Sequence, residues 1–296
     1  MTSKTVVVLG TATPGGGFPA YGAPYAETIN EMDPTLSIEP RNTKGSTENV
    51  PLLEQETLDI GLATGEVTYE AINGIGRPLA DLRIINAMYS QPGMFIVRAD
   101  SPYRGIPDLR GKTVAWGVAS SGFVVLARYV MDGLGLDLTR DFQAAYLEKA
   151  SDGPAMVLGG RVAALWGGGA GWPAFVAIAK DPAGARFIAP GADEIKRIMA
   201  KHSFLKPITL PPGSYPGQNE PIPSVGSWPF VLARPTLPED VASRIARALP
   251  RGESALGKRL AQAGESTLAN TLAAAPRQDL IHPGVLRYMR EIGLVR

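Results

Sequence analysis

Short hydrophobic runs alternate along the chain with longer stretches in which apolar residues recur at helical spacing. The runs predict strands and the stretches predict helices, because strand side chains alternate faces and helical ones repeat about every 3.6 residues. A helix is predicted over Phe123–Asp132. The predicted strands are Thr5–Gly10, Leu36–Pro40, Asp59–Ala63, Leu82–Met88, Met94–Arg98, Thr113–Gly117, Val162–Trp166 and Arg186–Ala189. This order predicts an α/β protein with mainly parallel sheets and helices on both faces.

Two Pro/Gly-rich passages interrupt this alternation, at 89–117 and 210–235, and each resolves into a strand. Glycine and proline mark loops and linkers, so each passage is interpreted as a crossing between two lobes. The C-terminal helices would then return to the first lobe. The alternative is that both passages are surface loops of one large domain.

The composition of the chain mainly excludes certain classes of partner and site. Lys and Arg total 29 against 28 for Asp and Glu, which leaves no basic field for nucleic acid. Cysteine is absent, so disulfides and thiolate-held metals are excluded. No apolar run reaches the roughly 18 residues of a membrane span. The N-terminal "MTSKTVVVLG" lacks the regions of a secretory signal, so the chain is either cytoplasmic or a mature form whose signal was removed.

The loop "GTATPGGG" follows the first predicted strand and has glycines at the spacing of a nucleotide-binding loop. A P-loop is excluded because Gly16 and Gly17 stand where lysine and a hydroxylic residue are needed. A Rossmann loop is excluded because Ala12 replaces its second glycine. Free amides and the hydroxyls of Thr11 and Thr13 remain, and they suit a small anion. The alternative is that the glycines only permit positive φ at a turn.

Three further loops of the same type precede predicted helices. They are 42–50 ("NTKGSTENV"), 116–123 ("WGVASSGF") and 165–173 ("LWGGGAGWP"). In the first of them, Ser46 or Thr47 is expected to cap a helix beginning near Glu48, and Lys44 adds a cation. Because ligands bind at the carboxyl ends of strands in open α/β sheets, four such loops predict one ligand site.

Catalytic groups are sparse. The chain has two histidines, and His282 is interpreted as the cap of the final helix rather than a base. The sequence contains neither a carboxylate-rich metal motif nor a G-x-S-x-G elbow. We therefore expect a non-enzyme without a cofactor or a metal.

Five motifs together resemble the TAXI-type solute-binding proteins of TRAP transporters. "GTATPGGGFPAYG" is similar to the family's first ligand loop, and "TKGSTENVPLLEQETLDIGLAT" to its T-x-G-S-x-E-N segment. "IPDLRGKTVAWGVASSGF" resembles the stretch that opens the second lobe. "PPGSYPGQ" and "HPGVLRYMREIGL" resemble a late turn and the terminal helix. The resemblance covers nearly the whole chain.

The resemblance implies a type II periplasmic-binding-protein fold, with two Rossmann-like lobes joined by crossing strands. Lobe I is expected at 1–92 plus 232–296 and lobe II at 93–231, with the ligand cleft between them. It further implies export to the periplasm, or anchoring outside the membrane, with the signal peptide removed, and closure on a small carboxylate (an amino acid, a dicarboxylate or an aromatic acid). We expect a monomer. TRAP-type permease subunits would receive the ligand. The alternatives are an enzyme or a sensor module on the same fold.

The chain departs from the family pattern by a cation, Lys44, and by extra aromatic residues, Phe123, Trp166 and Trp172. These suggest a larger, aromatic carboxylate; alternatively, the tryptophans pack the lobe interior and Lys44 faces solvent. The expected ligand-binding residues are Thr11, Thr13, Gly16, Gly17, Tyr21, Thr43, Lys44, Ser46, Thr64, Ser120, Ser121, Gly122, Phe123, Trp166, Gly168 and Trp172.

Overall fold

The computed structural model describes residues 4–296, within which lie twelve strands and ten α-helices. The strands are β1 (Thr5–Gly10), β2 (Leu36–Arg41), β3 (Ile60–Ala63), β4 (Arg83–Ala87), β5 (Gln91–Arg98), β6 (Thr113–Val118), β7 (Gln143–Leu147), β8 (Ala164–Gly168), β9 (Ala185–Ile188), β10 (Lys206–Leu210), β11 (Ile222–Ser227) and β12 (Phe230–Ala233). The α-helices are α1 (Gly17–Met32), α2 (Ser46–Glu54), α3 (Gly65–Asn73), α4 (Gly122–Gly133), α5 (Gly153–Leu158), α6 (Pro173–Ala179), α7 (Ala192–Lys201), α8 (Glu239–Arg259), α9 (Leu268–Ala274) and α10 (Pro283–Glu291). Short 3-10 helices lie at Ile106–Leu109, Ala150–Asp152, Ala261–Glu265 and Gln278–Leu280.

The chain divides into two compact units. Unit 1 comprises the described chain up to Ala12, then Phe18–Tyr89 and Trp228–Arg296; unit 2 comprises Thr13–Gly17 and Ser90–Ser227. The two lobes expected from the sequence, 1–92 plus 232–296 and 93–231, were defined as parts that move relative to each other. Their limits therefore stay a prediction.

Unit 1 is built on a five-stranded sheet in the order β2-β1-β3-β12-β4. Strands β1, β2 and β3 are parallel, whereas β12 runs antiparallel between β3 and β4. The core contains a stacked pair of tyrosines, Tyr21 and Tyr25, with ring centroids 5.3 Å apart. Burial raises the pKa of both phenols. The final helix, α10, is capped by His282, whose Nδ1 accepts a hydrogen bond from the Gly284 N–H, as the sequence predicts.

Unit 2 is built on a sheet in the order β10-β11-β5-β8-β6-β7, with β9 also paired to β5. Strands β6, β7 and β8 are parallel, and β5 is antiparallel to its neighbours β8, β9 and β11. The core holds two fully buried tryptophans, Trp116 and Trp166, which both pack edge-on against Phe95.

All eight predicted strands are present, most with ends shifted by one to three residues. The pattern missed β7, whose residues are mostly half-exposed or exposed, and β10, an edge strand with polar positions. It also expected a single strand in the passage 210–235, which contains both β11 and β12. In the part of the chain that the structure describes, no helix combines the length and apolarity that a membrane crossing requires.

Candidate functional site

In unit 1, two helices begin where parallel strands end. The carboxyl end of β1 pairs with the first residues of the parallel strand β3, and β3 leads directly through Thr64 into α3. Helix α2 begins at Ser46, one residue after the capping position taken by Gly45. The sequence prediction that Ser46 or Thr47 caps a helix beginning near Glu48 is therefore wrong, because Gly45, at φ 118°, already turns the chain into the helix.

Ser46 and Thr64 join the beginnings of α2 and α3. The backbone N–H of Thr64 donates to Ser46 Oγ over 3.1 Å, and both side chains are almost fully buried. Thr64 occupies the capping position of α3, but its hydroxyl makes no capping bond. Its Oγ1 is buried and has no hydrogen-bond partner among the described residues.

Asn49, which the sequence analysis did not single out, fastens the two strand ends together. Its Nδ2 donates to Thr11 O and to Leu62 O, each over 2.8 Å. Its Oδ1 is buried without a hydrogen-bond partner within residues 4–296. The signal was present in the "STENV" segment, where a polar amide stands among the apolar positions of α2.

Thr11 and Thr43 support this edge from the other side. Thr43 Oγ1 donates to Thr11 O over 3.1 Å and accepts from the Gly45 N–H over 3.2 Å. The hydroxyl of Thr11 donates to Arg41 O, so it is committed to the neighbouring loop. Lys44 is exposed, and its backbone N–H donates to the Glu48 carboxylate over 2.6 Å. These residues shape the loop, with Lys44 as a nearby cation.

Tyr21 has a structural environment. It is fully buried, stacks on Tyr25, and hydrogen-bonds through its hydroxyl to Ser266 Oγ over 3.0 Å. Because the ring is enclosed by protein side chains, a ligand could reach it only after repacking of the core.

In unit 2, Thr13–Gly17 packs with the segment around Ala150. The Ala150 N–H donates to Thr13 Oγ1 over 3.4 Å, and the Gly16 N–H donates to Thr13 O over 3.1 Å. Gly15 has φ 81°, and a Cβ there would lie 2.8 Å from the Ser151 side chain. The turn therefore needs a glycine at this position, which matches the alternative interpretation of the loop.

The loop after β6 leads into α4 through a serine cap. Ser121 Oγ accepts from the Phe123 N–H over 3.2 Å, and Gly122 is buried as the first residue of the helix. Ser120 is half-exposed in the preceding turn. This arrangement is a normal helix N-terminus with the hydroxyl of Ser121 already in use.

Trp166 and Gly168 are structural residues of β8. Trp166 is 0% exposed, and its indole N–H donates to Phe123 O over 2.8 Å. Gly168 has φ 155°, and a Cβ there would collide with Pro92 O. Trp166 therefore packs the interior of unit 2, as the alternative interpretation of the tryptophans states.

Trp172 differs from Trp166 because it is only half-buried. Its ring lies parallel to that of Phe123, with centroids 6.3 Å apart, and a Cβ on Gly167 would collide with it. The backbone N–H of Trp172 donates to the hydroxyl of Tyr215, which in turn donates to Gly169 O over 2.5 Å. Tyr215, in the "SYPG" turn, was missed as a support of this loop.

The expected residues thus fall into two groups within their own units. Unit 1 brings Thr11, Thr43, Ser46 and Thr64 to one sheet edge beside two helix N-termini, where backbone amides favour an anion. Unit 2 presents the Phe123–Trp172 pair beside the start of α4. Among residues 4–296, no three His, Asp or Glu side chains are grouped so as to hold a metal ion.

Several solved structures of similar fold are described as binding proteins. The periplasmic aliphatic sulphonate binding protein SsuA of Escherichia coli is 19% identical, with a TM-score of 0.52 over 99% of this chain and 94% of that one. A protein of Bordetella bronchiseptica RB50 has a TM-score of 0.62 at 12% identity, covering 98% of both chains. A putative sulfonate ABC transporter's periplasmic sulfonate-binding protein, SsuA of Methylobacillus flagellatus KT, has a TM-score of 0.51 at 13% identity, covering 100% of this chain and 89% of that one. These likenesses establish the two-lobe α/β fold of periplasmic binding proteins.

The match to a family model corrects the family expected from the sequence. The model of the NMT1-like family matches residues 9–293, nearly the whole chain. The resemblance to TAXI-type proteins of TRAP transporters is therefore wrong, although the fold that it implied is confirmed. Three of its motifs are loops rich in glycine, serine and threonine before helices, a pattern that the chemistry of helix N-termini favours and that is not specific to one family. The chain belongs to the NMT1-like family.

Proposed function

We propose that this protein is an extracytoplasmic solute-binding protein that captures a small organic anion, a carboxylate or a sulfonate. We further propose that it acts as a monomer without catalysis and hands its ligand to the membrane components of an ABC-type transporter. The names of two proteins of similar fold support this proposal, since one is described as periplasmic and sulphonate-binding and another as part of a sulfonate ABC transporter.

The observation that carries the proposal is the hydroxyl of Thr64. It is buried beside the N-termini of α2 and α3, and it lacks a hydrogen-bond partner in the described chain. A buried hydroxyl without a partner costs about 1–3 kcal/mol, so a protein keeps one where a ligand completes it. The first amides of a helix attract negative charge, which makes an anion the fitting ligand.

We propose different roles for the other expected residues in the two units. We propose that Ser46, Thr64 and the amides around them bind the anionic group, with Lys44 adding a screened attraction. For unit 2, we propose that Phe123 and Trp172 provide a surface for a flat apolar part of the ligand, because both rings are half-buried and parallel.

The test is a thermal-shift panel of matched pairs: benzoate and benzenesulfonate, propionate and ethanesulfonate, and neutral benzamide. An anion that raises the melting temperature, confirmed by calorimetric titration, supports the proposal. A 2-aminoethanesulfonate arm tests the buried carboxylate of Glu66, in the first turn of α3, as a partner for an ammonium group. Equal shifts with benzamide and benzoate would contradict anion binding.

A further inference from the structure

A cavity lies in unit 2, at the ends of the strands opposite to the loops described above. It has a volume of about 410 Å³, within the range of small-molecule sites. Lys112 and Thr113 line it where β6 begins, and Val162 and Ala163 line it just before β8. Strand β6 spans Thr113–Val118, so roughly 20 Å of chain separates this cavity from the start of α4.

The wall of this cavity is held by guanidinium groups. Arg186 donates to the carbonyls of Ala99, Ser101 and Tyr103, over 2.7, 3.2 and 3.1 Å. Arg104 donates to the same carbonyls of Ser101 and Tyr103, over 2.7 and 3.1 Å. Because five side-chain hydrogen bonds fix this short loop, the cavity is a built feature of the fold.

The charges that face the cavity are unequal. Arg98 donates to both carboxylate oxygens of Asp100, over 2.9 and 2.6 Å, so these two charges offset each other. Lys112 and Arg161 also line the cavity, and neither forms an ion pair within residues 4–296. The Ala163 N–H donates to Thr113 O over 2.8 Å, so the chain segments that carry the two cations are adjacent.

We propose that this cavity binds the phosphate group of a small organic phosphate. An ammonium and a guanidinium without ion-pair partners match the roughly two negative charges of a phosphate monoester, and both donate well to phosphate oxygens. The apolar side chains of Pro102, Val157 and Val162 line the same space and can contact the organic part. This site is separate from the proposed anion site at Thr64 and does not depend on it.

The test is an NMR titration of the ¹⁵N-labelled protein with phenyl phosphate, inorganic phosphate and neutral phenol. We expect phenyl phosphate to bind most tightly and to shift the amides of Lys112, Thr113 and Arg161. The Lys112→Ala/Arg161→Ala variant should bind it about tenfold more weakly. A charge-matched control, Lys206→Ala/Arg251→Ala, removes exposed cations outside the cavity and should bind normally.

Three outcomes would overturn the proposal. They are equal loss of binding in both double variants, amide shifts only outside the cavity, and binding of phenol as tight as that of phenyl phosphate. The Thr64→Val variant should keep the phenyl phosphate shifts at Lys112, Thr113 and Arg161, so a failure of the solute-binding proposal leaves this test intact.

Discussion

The backbone N–H of Thr64 donates to Ser46 Oγ, and this bond holds the beginnings of α2 and α3 against each other. Ser46 Oγ accepts this bond and keeps its own O–H as a donor, whereas the hydroxyl of Thr64 has no partner in the described chain. Of these two hydroxylic side chains, Thr64 is the one whose hydroxyl makes no hydrogen bond there.

Thr64→Val should abolish the stabilisation by the anion while leaving the unliganded protein as stable as before or slightly more so. The reason is that valine removes a buried hydroxyl that makes no hydrogen bond. The measurement is the melting temperature with and without the best anion of the panel.

The matched control is Thr28→Val, the same change at a fully buried position of unit 1, where Oγ1 accepts from Arg259 over 2.7 Å. It should lower stability by about 1–2 kcal/mol and leave the anion effect unchanged. Loss of the anion effect in both variants would reject Thr64 as the specific contact.

Asn49→Ala should destabilise the protein by about 2–4 kcal/mol, because the carbonyls of Thr11 and Leu62 lose a buried donor. Urea unfolding measures the change. Asn42→Ala serves as the control, since Asn42 also donates to a backbone carbonyl of unit 1 but is exposed. Similar small losses in both variants would mean that Asn49 is not a structural tie.

Phe123→Leu should weaken binding of benzenesulfonate about fivefold relative to ethanesulfonate, because the flat contact surface is lost while the hydrophobic volume is largely kept. Calorimetric titration of both ligands gives the ratio. An unchanged ratio would show that the Phe123–Trp172 pair does not select the ligand.

Acid should weaken the protein through Asp33. Hydrogen bonds from Arg244 lower the pKa of the Asp33 carboxyl to about 2, below the roughly 3.9 of an unfolded chain. The stabilisation is therefore complete above about pH 4 and is lost as the pH falls toward 2. We expect about 1 kcal/mol after solvent screening, and Arg244→Gln should flatten this part of the stability curve. An unchanged slope in that variant would contradict the assignment.

A second pH effect comes from His282. Burial lowers the pKa of its imidazole, and Nδ1 already accepts from Gly284, while Nε2 is bonded to Leu237 O over 3.0 Å. Since the folded state disfavours protonation, stability should be complete above about pH 6.5 and fall below it.

His282→Asn keeps a capping side chain and should remove that fall, as followed by urea unfolding between neutral and mildly acidic pH. His202→Asn, at the other histidine of the chain, should retain it. If the fall in stability disappeared in His202→Asn and persisted in His282→Asn, the effect would belong to His202 and the assignment to His282 would be wrong.

The sequence pattern predicted the α/β class and the two-lobe fold, but the expectation of mainly parallel sheets is wrong, because six of the ten strand pairs in the described chain are antiparallel. Strands such as β1, with three valines and a leucine, are predictable from their β-branched, apolar composition. Strands β7 and β10 lack this composition, and pairing with neighbouring strands holds them in the sheet. The loops were located correctly because glycine and hydroxylic residues gather before helices. Which of the expected ligand residues are buried in the core could not be predicted from the sequence, as Tyr21 in α1 and Trp166 in β8 show.

Asn49 and Tyr215 were missed for a related physical reason. Each acts by bonding to backbone groups far away in sequence, Leu62 for Asn49 and Gly169 with Trp172 for Tyr215. Such long-range bonds leave no periodic signature in the chain. The family was mistaken because short loops rich in glycine and hydroxylic residues reflect the chemistry of helix N-termini more than descent.

The tryptophans are unevenly distributed between the two units, so tryptophan fluorescence comes mainly from one of them. Trp116, Trp166 and Trp172 belong to unit 2, while unit 1 contains Trp228 alone, half-buried at its boundary. Unit 1 instead carries the buried tyrosine pair. Indole emission therefore describes mainly the state of unit 2, and its single report on unit 1 comes from Trp228, two residues before β12.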